Sequence, residues 1–146
     1  MGWFDGHLHE FNIQGTSYAV PDPDFDFDDS RIEDEKKFSL KDFSLKKGDK
    51  FSYTYDFGDD WEHLIKVKDV IPKGSTDKLY QITGGKRATP PEDCGGSPGY
   101  ENFLEAINNE DHEEHKHYME WAGGEFDPEE YPIEGFNDML EEEFLI

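Results

Sequence analysis

Three histidines and an acid carry the sharpest chemistry in this 146-residue chain. His7 and His9 stand two apart, so a strand places both on one face. His63 follows a turn in FSYTYDFGDDWEHLIKV, residues 51–67, and Asp60 stands in that turn. If the sheet faces converge, neutral imidazoles about 2 Å from an ion, with a carboxylate, make a site for zinc or another divalent metal. Such a set suits a metal-dependent hydrolase or nuclease. The plainer reading makes His63 a core-edge histidine bonded to a neighbour, and His7 and His9 surface residues. The acids Asp56, Asp59, Asp60 and Glu62 divide the same way. Clustered carboxylates suit a cation or an acid–base pair. A tight turn also wants Gly and Asp for conformational reasons alone. A buried Asp56 would need a donor, such as a backbone N–H or the Thr54 hydroxyl.

A second pair, His112 and His115, has helical spacing. His112-Glu113-Glu114-His115 is not the HExxH pattern, since its histidines are three apart, and no catalytic role follows. A solvated helix face accounts for it. A third candidate is Cys94, Gly95 and Gly96, ahead of an expected helix. Free N–H groups there can hold an anion and activate a thiol. Glu92 and Asp93 oppose both effects, and a structural loop is the plainer account.

The elements that must position these groups follow from periodicity. Phe51, Tyr53, Tyr55 and Phe57 alternate with Ser52, Thr54 and Asp56, a strand signal. Trp61, His63, Ile65 and Val67 alternate in a second strand, which is expected to run toward Val70 and Ile71 and stop at Pro72. An earlier pair of strands is expected within residues 8–20, turning at Gln14 and Gly15. Eight acids and two prolines among residues 21–35 read as an exposed loop, pinned by Phe25 and Phe27. A short strand or turn–strand fits residues 38–50, and another strand fits residues 79–83.

From Thr89 the pattern becomes helical. Ser97 is expected to cap a helix that has Pro98 at its first position. Tyr100, Phe103, Leu104 and Ile107 share one face of it. Asp111 with Glu114 resembles a capping box for a helix that Gly123 and Gly124 end. A turn at residues 127–130 and an acidic helix over residues 135–145 follow. Strands first and helices last, without βαβ alternation, predict an α+β fold: antiparallel hairpins forming a sheet, then two to three C-terminal helices packed on one face.

Composition bounds the function. Leu, Ile, Val and Phe make up only about 21% of the chain, near the border of disorder, and the twenty-two aromatics move it back toward a folded domain. Net charge is −22, unevenly spread. Residues 1–35 carry ten acids against Arg31, and residues 100–146 carry sixteen against Lys116. Residues 36–87 hold twelve bases and eight acids. So acidic a chain repels a phosphate backbone, which disfavours nucleic acid as a partner. One cysteine excludes an internal disulfide and, with no membrane-length apolar run and no leader pattern, points to the cytoplasm.

Four stretches together resemble a known family: HLHEF at 7–11, YDFGDDWEH at 55–63, PPEDCGGSPGYENFLEAI at 90–107, and HEEH with WAGGEFDPE across 112–129. They resemble the plasmid pRiA4b ORF-3-like family. The resemblance implies a single α+β domain over residues 1–146, an association with mobile elements, and no established activity. Family members usually begin with an additional strand and helix, which this chain is expected to lack. Sheet edges and apolar surface would then invite self-association. The preferred expectation is a protein-interaction or accessory module whose partner presents a basic surface. The alternatives are the metal-dependent hydrolase above, and a nucleic-acid-associated regulator using residues 36–50 or an acidic mimic of nucleic acid.

Overall fold

Backbone alternation sets the first half of the chain. The computed structural model describes residues 2–21, 32–72, 74–75 and 80–144. The chain divides into two compact units, residues 5–73, and residues 1–4 with 74–146.

In the first unit β1 (His9–Ile13) and β2 (Thr16–Ala19) pair antiparallel across Gln14 and Gly15. Both turn residues have positive φ, 55° and 83°. That is the type I′ geometry whose twist matches its strands, and glycine takes it without strain. After β3 (Ile32–Asp34) come β4 (Lys50–Tyr55) and β5 (Trp61–Lys66), the hairpin expected from the aromatic alternation. The sheet order is β3-β2-β1-β4-β5.

Three details differ from the sequence expectation. The sheet is mixed, because β3 lies parallel to β2. Residues 32–34 therefore form a strand inside what reads as an acidic loop. Three residues at a sheet edge need only one ladder, which composition does not reveal. Residues 22–31 of that loop, with Phe25 and Phe27, lie outside the described residues. Residues 40–43 form a 3₁₀ turn rather than a strand. Asp42 holds it, accepting from the Ser39 N–H and hydroxyl, each at 2.8 Å. β5 ends at Lys66. Val67 still pairs through a bulge, its carbonyl accepting from Gly48 N–H and its N–H donating to Asp49. Val70 and Ile71 are exposed and extend no strand.

In the second unit α1 (Gly96–Ile107), α2 (His115–Trp121) and α3 (Ile133–Phe144) carry the helical pattern. Phe103 and Ala106 are fully buried. The Phe103 ring meets Tyr118, Trp121 and Phe126 edge-on and stacks on Tyr100. The caps differ from expectation. Gly95, not Ser97, is the residue before α1, and Gly99 N–H donates to its carbonyl, so Ser97 and Pro98 fall inside the first turn. A Cβ at Gly99 would strike the Cys94 carbonyl, so glycine is required there. Asp111 does not cap α2, which starts only at His115.

No strand forms at residues 80–83, and Leu79 lies outside the described residues. The reason is visible at Ile82. The Asn137 side-chain amide accepts from Ile82 N–H at 2.7 Å and donates to its carbonyl at 3.0 Å, taking the place of a neighbouring strand. Among the described residues no helix is long and apolar enough to cross a membrane.

Candidate functional site

Strand register gathers the aromatic side chains of the first unit on one sheet face. Directly opposed residues share a face. Tyr18, Phe11, Tyr53 and His63 therefore form one row across β2, β1, β4 and β5. His9, Tyr55 and Trp61 form the next row. Phe11 and Tyr53 lie 4.6 Å apart between ring centroids. Phe38, just before the 3₁₀ turn, and Phe43, its last residue, each meet Tyr18 edge-on at 5.0 Å.

Between the sheet residues Phe11, Ile13 and Tyr18 and the segment from Glu35 to Phe43 is a cavity of about 230 Å³. Among the described residues its walls are mainly aromatic and aliphatic, with the Glu35 carboxylate as their one acid. His9 orients that carboxylate: Nε2 lies 3.1 and 3.2 Å from its two oxygens. The other ring nitrogen of His9 is 3.6 Å from Asp5. Burial, followed by the charges of Asp5, Tyr55 and Glu35, pushes the Tyr53 phenol up to about 12. An apolar, ring-lined space with one fixed negative charge suits an organic cation. The ring faces attract it by their quadrupoles and the carboxylate pairs with it. Ser39 also lines the space, but its hydroxyl donates to Asp42, which leaves it poorly placed as a nucleophile.

The residues first considered for a metal are distributed over different partners. His7 Nδ1 lies 3.6 Å from Asp56, and its ring meets Tyr55 edge-on. His9 faces Glu35 and Asp5. His63 Nδ1 lies 3.1 Å from the Tyr53 carbonyl, so that nitrogen donates. The rings of His9 and His63 flank Tyr53 at 5.8 and 5.6 Å instead of meeting. Asp60 is exposed at the turn, its N–H donating to the Asp56 carbonyl. Asp56 is buried, and its Oδ1 accepts from the N–H groups of Gly58 and Asp59 at 2.9 and 3.3 Å. It thereby shapes the turn.

His112 and His115 do local work as well. His112 Nδ1 accepts from Glu114 N–H, and His115 Nδ1 donates to the Ala106 carbonyl at 2.8 Å, tying α2 to the end of α1. Cys94 Sγ lies 3.9 Å from the Gly96 carbonyl, with Gly95 and Gly96 both at positive φ. His9 is bonded to a group in the aromatic cavity, the Glu35 carboxylate. Nothing in the sequence singles out Glu35, because its acidic neighbours hide it. The cross-hairpin pair Phe11 and Tyr18 was the available signal.

The sequence model of the plasmid pRiA4b ORF-3-like protein family matches residues 1–134. The chain belongs to this family. A relative from Sinorhizobium fredii, "Uncharacterized protein y4hQ", is 40% identical over 126 residues, which are 84% of this chain and 62% of the relative. The chain thus spans somewhat less than two thirds of that relative's length. The crystal structure of a protein of unknown function, MM3350 from Methanosarcina mazei Go1, is similar with a TM-score of 0.77 and 33% identity. The match covers 92% of this chain and 75% of that one. The MM3350 protein shares the fold of this chain, and both relatives are described as uncharacterised or of unknown function.

Proposed function

We propose that this pRiA4b ORF-3-like chain is a cytoplasmic binding module, accessory to mobile elements, that takes a lysine or arginine side chain of a basic protein partner into the aromatic cavity of its sheet unit. One observation carries the reading: among the described residues Glu35 is the acid that lines a cavity walled by Phe11, Tyr18, Phe38 and Phe43, and His9 fixes it. The net charge of −22 draws a basic partner from a distance, and the cavity selects one side chain at contact. A single cation–π contact contributes about 0.5–2 kcal/mol, so the interaction is transient unless several side chains engage.

Titration of the isotope-labelled protein with a lysine-rich peptide, followed by NMR at low and moderate salt, tests this. Resonances of Tyr18, Phe38 and Phe43 are expected to shift, and Glu35→Gln is expected to weaken binding by roughly tenfold at the same salt. Shifts confined to the acidic helical unit, for instance at Phe126 and Phe136, or binding unaffected by Glu35→Gln, would reject the reading. Metal analysis is the control. Stoichiometric zinc that disappears in His63→Ala would favour the hydrolase alternative instead.

A further inference from the structure

β5 is the outermost strand on its side of the sheet, and no other described strand pairs beyond it. Its ladder shows which groups face outward. Val67 pairs toward β4, and backbone direction alternates along a strand. Trp61, His63 and Ile65 therefore point their N–H and C=O groups inward, and Glu62, Leu64 and Lys66 point theirs at the open edge. Those three residues are exposed, Leu64 at 70%. An exposed apolar residue at the middle of an open edge invites another strand.

We propose that the partner of this edge is a second copy of the chain, pairing antiparallel about a two-fold axis at Leu64. In that register Leu64 faces Leu64 of the second copy, and Glu62 faces Lys66 of the second copy on both flanks. Each pair exchanges two N–H···O bonds. Sliding by two residues either way breaks the match, placing Leu64 against Glu62 or against Lys66. Charge complementarity thus selects both the occupant and the register.

A second observation agrees. Lys50 and Lys66 are directly opposed within the sheet, like charges on one face. Glu62 of a second copy would flank Lys66 on its other side and offset that repulsion. On the opposite face, Ile65 would meet His63 of the second copy and continue the aromatic surface. The two five-stranded sheets would become one.

Sedimentation equilibrium over a range of concentrations at physiological salt tests the pairing. The unaltered chain is expected to dimerise reversibly. Lys66→Glu sets Glu against Glu across the axis and Glu62→Lys sets Lys against Lys. Each is expected to weaken the dimer roughly tenfold or more. The double variant E62K/K66E restores opposite charges and is expected to recover most of that loss. Lys66→Glu also relieves the contact with Lys50, so at a dilution where both chains are monomeric its unfolding midpoint should not fall, which separates lost pairing from lost folding. Leu64→Pro removes an outward donor that the protein's own ladder does not use, and should leave a folded monomer. A chain that stays monomeric at millimolar concentration, or a double variant no better than its singles, would overturn the proposal.

Discussion

The sheet unit and the helical unit solve the same shortage of aliphatic residues in different ways. The sheet lays its rings out in rows, with burial spread over Ile13, Ala19, Phe51 and Tyr55. The helical unit converges four rings on Phe103. A row degrades locally, because each ring leans on cross-strand neighbours that keep their ladder. A hub fails as a whole, because one ring spaces two helices and the segment carrying Phe126. Charge separates the units too. Residues 100–146 carry sixteen acids against Lys116, and the pairs Lys116–Glu120 and Arg87–Glu129 are exposed, so they offset little of a packing loss.

Removing the hub is therefore expected to have the largest effect. Phe103→Ala should cost about 3–5 kcal/mol in urea unfolding, the range for a buried ring. Phe51→Ala, a buried ring whose cross-strand neighbours keep their ladder, should cost about 3 kcal/mol or less. Equal losses would show that rows and hub are energetically alike and would break the comparison.

A smaller effect is expected at the turn. Asp56 has a φ of 56° and a buried carboxylate that accepts two backbone N–H groups. Asp56→Ala removes the acceptor and the residue's tolerance of that conformation, a loss of about 1–3 kcal/mol in the same assay. Asp56→Asn keeps both an acceptor oxygen and that tolerance, and should lose less than half as much. If the two variants were equally harmful, the carboxylate's charge and not its turn geometry would be what matters.

The rows were legible in the sequence because period two survives a glance: Phe51, Tyr53, Tyr55, then Trp61, His63, Ile65. Their alternation gave the hairpin, and Gln14 with Gly15 gave the other. The helical face was legible through Phe103. What escaped was set by contacts distant in sequence. The Asn137 amide replaces a strand at Ile82, fifty-five residues away. β3 borrows a parallel neighbour. Glu35, the centre of the candidate site, is one acid among eight until the fold sets it beside His9 and a cluster of rings. The histidines stood out by type, yet they are engaged by carboxylates at His7 and His9 and by backbone groups at His63, His112 and His115, contacts that no spacing rule distinguishes from ligation.

The smallest effect reads the site's own electrostatics. Tyr53 ionises at about 12 in the folded chain against an ordinary 10.0, chiefly through burial and next through Asp5. The folded protein thus keeps the phenolic proton over a range where the unfolded chain releases it. The resulting contribution to stability is fully present below pH 10 and is lost as pH rises toward 12. Tyr53 is only half-buried, so solvent screening keeps the effect small. Tyr100, in the helical unit, is raised as well, again mainly by burial. Tyrosinate absorbance during an alkaline titration should therefore show a late-ionising component that shrinks in Tyr53→Phe. The fall in stability between pH 10 and 12 should become shallower in the same variant. Tyr100→Phe should flatten it less. A profile unchanged by Tyr53→Phe would mean that burial, with Asp5 next, does not hold back the ionisation of this phenol.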